Sequence, residues 1–181
     1  FFYMFSVIFP GQGSHAVGMA KEFYSKYDLF KKKFKEADEI LNFPISKLIL
    51  EGPKEKLDLT ENTQPSIFLV SYLIYKLATE EYNLNLKSAN YFAGHSLGEY
   101  TALTCANSLK FEETLVILKK RGKAMQDAVP QGKGKMIVVM GAEISKIENI
   151  LKDNLKDFVC YIANDNSNHQ IVISGLNDDI D

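Results

Sequence analysis

Hydrophobic positions along the chain fall into two patterns. Some are short continuous runs stopped by glycine or proline, and others are longer stretches with apolar residues three and four apart. Phe2–Phe9 is of the first kind, rich in β-branched and aromatic residues and stopped by Pro10-Gly11, and predicts a buried strand. A glycine loop follows, then a helix from about Gly18 to Ser25. Asp28–Leu41 predicts a second helix, with Asp28 as N-cap and Leu29, Phe30, Phe34, Ala37, Ile40 and Leu41 on one face. Ile45–Leu50 is a short apolar piece, and Glu51–Asn62 is polar. Thr63-Gln64-Pro65-Ser66 opens a mostly apolar helix that runs from Ile67 to Glu80. Ala89–Ala93 predicts a second buried strand, which leads directly into Gly94-His95-Ser96-Leu97-Gly98 and a helix over Leu97–Asn107. Phe111–Ala128 carries a longer amphipathic pattern.

Pro130-Gln131-Gly132-Lys133-Gly134 breaks the pattern and marks a boundary between a core of residues 1–130 and a smaller part of residues 131–181. In the smaller part a strand (Met136–Met140), a helix (Glu143–Lys152) and a strand (Phe158–Ala163) are expected. A turn at Asp165–Asn168 and a strand (Gln170–Ser174) follow. Strand–helix–strand–strand is most of a ferredoxin-like unit, whose next helix is expected where the sequence reaches Asp181. The unit therefore reads as incomplete at its C-terminal side.

Composition changes this picture little. Of 181 residues, 46% are hydrophobic and 24% charged, as in ordinary globular domains. Twenty-one Lys+Arg against 23 Asp+Glu leave a net charge of −2, which gives no global basic field for nucleic acid. No apolar run approaches the ~18 residues of a membrane helix. Phe1–Phe9 lacks the basic flank and small-residue site of a signal peptide. Cys105 and Cys160 lie far apart in apolar segments without a C-x-x-C pair, so buried free thiols are expected and no metal site.

Candidate chemistry centres on Ser96. Gly94-x-Ser96-x-Gly98 between a strand and a helix is the pattern of a nucleophile elbow, a sharp turn that lifts the hydroxyl into the open. The helix starting at Leu97 directs free N–H groups and its positive dipole end toward a developing oxyanion. Ser96-x-x-Glu99 also fits a capping box, in which Ser96 merely caps that helix. Gly11-x-Gly13 follows the first strand, but Ala16 occupies the third glycine position of a dinucleotide fingerprint. Met19-Ala20 likewise replaces the Lys-Ser/Thr of a P-loop. A loop carrying Gln12 at a strand end remains, either an ordinary turn or the donor of a second oxyanion N–H.

All but one of the 21 basic residues are lysine. The exception, Arg121, falls on the apolar seam Phe111, Leu115, Leu118, Met125, Val129 of its helix. A guanidinium aimed inward requires an anion, either a protein carboxylate or a substrate carboxylate that suits its fork. A serine nucleophile also needs a base. His95 is adjacent to Ser96 and points away from it, His15 lies in the glycine loop, and His169 in a hairpin turn. None of the three fits the role.

Five blocks in order carry a resemblance that covers essentially the whole chain. They are Phe9-Pro10-Gly11-Gln12-Gly13-Ser14, Thr63-Gln64-Pro65-Ser66, Gly94-His95-Ser96-Leu97-Gly98-Glu99-Tyr100, Arg121-Gly122-Lys123-Ala124-Met125-Gln126, and Asn164-x-Asn166-Ser167 with Gln170–Gly175. In these blocks the sequence resembles the malonyl-coenzyme A:acyl carrier protein transacylase family of fatty acid synthesis. The resemblance implies an α/β fold: a hydrolase-like core with a parallel sheet, and a ferredoxin-like small subdomain. It implies that Ser96 accepts the malonyl group, that the Gln12 and Leu97 N–H groups form the oxyanion hole, and that Arg121 grips the free carboxylate. Gln64 and His95 are implied as pocket neighbours in supporting roles. Malonyl-coenzyme A enters as substrate with no permanently bound cofactor, and acyl carrier protein is the partner. No nucleic acid or membrane partner is implied, and a monomer is favoured. Family members work in bacterial cytoplasm or, in eukaryotes, in plastids or mitochondria. Asn168 stands where the family pattern has proline, and the family's catalytic histidine comes from a segment beyond residue 181.

Three alternatives stay open at this point. One is a serine esterase using the same elbow with water as acceptor, which would place an apolar residue where Arg121 stands. Another is a non-catalytic, carrier-binding fragment without the base. The third is a transferase selecting methylmalonyl or another extender. Lys31–Lys33, Lys119–Lys123 and Lys133–Lys135 are local basic clusters that either face solvent or dock an acidic carrier.

Overall fold

The computed structural model describes residues 4–129, 132–153 and 159–180. Two compact units divide the chain, Phe1–Gln126 and Asp127–Asp181. The expected boundary at residue 130 lies outside the described residues, as do Phe2 and Phe158 at the starts of two expected strands.

In the first unit, β1 (Ser6–Phe9) and β2 (Tyr91–Gly94) pair in parallel, with Phe9 opposite Gly94. Parallel pairing requires a crossover, and helices supply it: α1 (Lys21–Lys26), α2 (Asp28–Leu41), α3 (Ile45–Glu51), α4 (Lys54–Leu57) and α5 (Thr60–Glu80). After β2 come α6 (Leu97–Cys105) and α7 (Phe111–Ala128).

The core is helical. Phe30, Phe34 and Ala37 of α2 meet Ile45 and Ile49 of α3, Phe68, Leu69 and Leu73 of α5, and Leu115 and Leu118 of α7. Each large side chain buried this way contributes about 1.5–3 kcal/mol. Phe111 closes one end, stacked on Phe68 at 5.6 Å and tilted against Tyr72 at 4.8 Å. Cys105 belongs to a smaller apolar cluster with Phe9, Tyr75 and Ala102. Burial pushes its thiol up to about 12, so it stays protonated and is no rival nucleophile at neutral pH.

Several local expectations change. Asp28 is the first residue of α2 and caps nothing; its carboxylate accepts from Lys31 instead. The apolar piece Ile45–Leu50 is helical, and so is part of the polar stretch after it. α5 begins at Thr60, before its apolar run, and buries Asn62, Thr63, Gln64 and Ser66. Local acceptors make that burial tolerable. Asn62 donates to the Lys56 carbonyl at 2.8 Å, Thr63 to that of Leu57 at 2.6 Å, and Ser66 to that of Asn62 at 2.7 Å. On α7 the buried seam is Phe111, Thr114, Leu115, Leu118 and Gly122, while Met125 and Val129 are exposed. Gly122 permits a close approach to α5: a Cβ there would lie 2.5 Å from the Thr60 carbonyl oxygen.

In the second unit, β3 (Gly134–Met140), β4 (Cys160–Ser167) and β5 (Gln170–Leu176) form an antiparallel sheet in the order β3-β5-β4. A helix, α8 (Ile144–Asp153), lies between β3 and β4 in sequence and buries Ile147. β4 runs to Ser167 through two register shifts, so the turn is confined to Asn168 and His169 rather than spanning Asp165–Asn168. A short helix, α9 (Asn177–Ile180), begins four residues before the expected position at Asp181.

Candidate active site

The elbow forms where three chain segments converge on glycines. A Cβ at Gly94 would lie 2.0 Å from the carbonyl carbon and oxygen of Gly98, and one at Gly98 would lie 2.5 Å from the Phe9 carbonyl oxygen. Only hydrogen fits at either position. The end of β2 can therefore turn directly into α6 while α6 rests on the end of β1.

Ser96 sits on this turn at φ 53°, ψ −113°. A β-carbon-bearing residue at positive φ is strained, and such strain persists only where the surroundings enforce it. Ser96 makes no capping hydrogen bond, so the capping-box reading fails. Its Oγ is exposed and accepts from Arg121 Nη2 at 3.1 Å.

In the first turn of α6, the Gly98 N–H bonds the His95 carbonyl at 2.9 Å and the Glu99 N–H bonds that of Ser96 at 3.1 Å. The turn thereby spends these two donors and leaves the Leu97 N–H beside the hydroxyl. Leu97 itself is fully buried and holds the helix start in the core.

Arg121 is fixed from three sides. Its Nη1 donates to Gln64 Oε1 at 2.7 Å, its Nη2 donates to Ser96, and its Cζ lies 5.7 Å from the Tyr100 ring centroid. Gln64 is completely buried and donates in turn to Met125 Sδ at 3.2 Å. Two of the five guanidinium N–H donors are thus used, and three remain for an anion. Among the described residues no salt bridge pairs the Arg121 guanidinium with a carboxylate; its hydrogen-bond partners are the neutral Gln64 and Ser96.

The glycine loop meets the elbow at Gly11, where a Cβ would lie 2.8 Å from the His95 carbonyl oxygen and 2.7 Å from His95 Nδ1. Gln12, Gly13 and Ser14 are exposed, and Ser14 Oγ bonds the Gly11 carbonyl at 2.9 Å. The structure thus brings Ser96, Leu97, His95, Gln64 and Arg121 together and seats the Gln12 loop against them. His169 lies in the β4–β5 turn of the second unit. Sequence reasoning missed three contributors: Tyr100, Met125 as a partner of Gln64, and Asp58, which bonds His15. Tyr100 was signalled, since it lies four residues from Ser96 and so on the same helix face. Among the described residues no cluster of three His, Cys, Asp or Glu side chains could hold a metal ion, and no helix is long and apolar enough to cross a membrane.

The acyl transferase domain family is matched over residues 6–181. Malonyl CoA-acyl carrier protein transacylase of Haemophilus influenzae is 39% identical over 171 residues, covering 94% of this chain and 54% of that protein. The Bacillus subtilis strain 168 protein of the same name is 39% identical over 169 residues, covering 93% of this chain and 52% of its own. Among solved structures, a malonyl-transacylase in complex with its type II PKS acyl-carrier protein superposes with a TM-score of 0.90 at 34% identity, covering 98% of this chain and 57% of that one. Acyl-carrier-protein-S-malonyltransferase from Bartonella henselae gives 0.88 at 37% identity, with 98% and 57% covered. The chain spans about half the length of the curated relatives it matches.

Proposed function

Because the chain belongs to the acyl transferase domain family, we propose that it carries the nucleophile and carboxylate clamp of a malonyl transferase. This enzyme would move a malonyl group from coenzyme A to the phosphopantetheine thiol of acyl carrier protein. The observation that carries the proposal is Arg121 Nη2 at 3.1 Å from Ser96 Oγ. In a malonyl thioester a single methylene separates the carboxylate from the carbonyl to be attacked. A guanidinium that touches the nucleophile is thus at the distance at which it can hold that carboxylate.

Ser96 Oγ attacks the thioester carbonyl and gives its proton to a general base, which the family resemblance places beyond residue 181. The oxyanion receives the backbone N–H groups of Leu97 and Gln12. The carbon–sulfur bond breaks, and the coenzyme A thiolate leaves and takes the proton. The carrier thiol then attacks the malonyl ester through the same oxyanion hole, and Ser96 recovers its hydrogen. No electrons change hands, so no redox cofactor is required. His95 supports the glycine loop through its carbonyl, and Gln64 aims the guanidinium. In the fold this proposal implies, residues 1–130 belong to a hydrolase-like core, which the strand–elbow–helix turn and parallel pairing support. Residues 131–181 belong to a ferredoxin-like subdomain, supported by the β3-α8-β4-β5 order.

The test is the fate of the acyl group in the full-length protein supplied with malonyl-coenzyme A and holo acyl carrier protein. Malonyl-carrier should accumulate while free malonate stays at background. Release of malonate at the same rate with and without carrier would make the protein a hydrolase.

A further inference from the structure

We propose that His15 is a positioning residue that latches the oxyanion loop by bonding Asp58, an inference resting on the transferase reading above. The loop is held at its first end by Gly11 packed against the His95 carbonyl. Gln12, Gly13 and Ser14 are then exposed, and Gly13 has nothing within 4 Å of a Cβ and a φ of +104°. The Ser14 Oγ bond to the Gly11 carbonyl closes the stretch on itself but does not tie it to the rest of the unit.

The next fixed point is His15. Its side chain is only 13% exposed, and Nε2 lies 3.1 Å from Asp58 Oδ1. Asp58 is in turn oriented from α4: Lys54, one helical turn earlier, donates to its other carboxylate oxygen. Those bonds from Lys54 and His15 hold the Asp58 carboxyl below its ordinary range. Among the described residues His15 Nδ1 is buried without a hydrogen-bond partner, so the ring's hydrogen bond there is the one from Nε2 to Asp58. Beyond it the chain is secured again at Gly18, whose N–H bonds the Ile49 carbonyl at 2.8 Å, while Ala16 and Val17 between them are exposed. Removing the latch therefore leaves the chain between Gly11 and Gly18 with the local turn bonds of Ser14 Oγ to the Gly11 carbonyl and Met19 N–H to the Ala16 carbonyl, and with Val17 beside Gly52. The Gln12 N–H opens that span, so its direction follows the backbone between Gly11 and the latch at His15.

A displaced oxyanion donor weakens the transition state more than the ground state. In the full-length protein, His15→Ala should lower the single-turnover rate of Ser96 acylation by malonyl-coenzyme A about 10- to 100-fold, below the loss for deleting a donor outright. KM should stay within about twofold, because Arg121 still binds the carboxylate. His15→Gln, whose side-chain amide can donate to Asp58, should recover most of the rate, and Asp58→Ala should reproduce the defect. An acylation rate in His15→Ala equal to wild type, with the folded fraction matched by circular dichroism, overturns the latch. So does a defect that appears only in KM, or one that His15→Gln does not relieve. If wild type itself is not acylated, the transferase reading has failed instead.

Discussion

Arg121→Ala should cut kcat/KM for malonyl-coenzyme A by about 10²–10³-fold, because two charge-assisted hydrogen bonds to the substrate carboxylate are worth about 3–4 kcal/mol together. Acetyl-coenzyme A has no carboxylate to lose, so its low rate should stay level or rise and the preference for malonyl should collapse. Arg121→Lys keeps the charge but replaces a planar fork by a point donor, and its loss should fall between wild type and Arg121→Ala. The Gln64 contact makes the geometry matter. With Nη1 held at 2.7 Å by a fully buried amide, the guanidinium plane is set before substrate arrives, and a lysine ammonium cannot take up that alignment. Malonyl transfer unchanged in Arg121→Ala would remove the clamp from the account. It would also return the elbow to a general serine hydrolase.

The second large effect concerns the turn. Gly94→Ala sets a methyl group 2.0 Å from the Gly98 carbonyl carbon and oxygen and 2.4 Å from the Glu99 nitrogen. These are backbone atoms at the start of α6, so no side-chain rotation relieves the overlap. The elbow must open, at a cost of about 3 kcal/mol or more, which corresponds to a Tm lower by about 6–12 °C. Opening also releases Ser96 from φ 53°, so its acylation should be lost even in the fraction that stays folded. Calorimetry and active-site labelling on the same sample separate the two effects. A Gly94→Ala protein with wild-type Tm and full labelling would contradict the close packing of β2 on α6.

How far the sequence reached depended on whether each feature is local. The elbow was legible because glycine, serine and glycine two residues apart after an apolar run admit few backbone paths. Helix α7 was legible from the apolar period Phe111, Leu115, Leu118, although Met125 and Val129 at its far end are exposed, and Arg121 stood out as one guanidinium among lysines. Features that pair residues far apart in the chain were not legible. His15 and Asp58 are 43 residues apart, and Gln64 and Arg121 are 57 apart. The resemblance, not the spacing, drew attention to Gln64. Nor did polarity reveal the start of α5. Asn62, Thr63 and Ser66 look like loop residues until their backbone acceptors are seen. At Ser96, capping and catalysis predict the same sequence. Only the backbone angles and the Arg121 contact decide between them.

The central claim is that Ser96 becomes covalently malonylated. The most direct measurement is the intact mass of the full-length protein before and after brief exposure to malonyl-coenzyme A, with Ser96→Ala beside it. The account predicts one malonyl group gained per molecule, located to the peptide containing Ser96 and absent from Ser96→Ala. An equal gain in Ser96→Ala, or none in a folded wild-type protein that binds malonyl-coenzyme A, would contradict it.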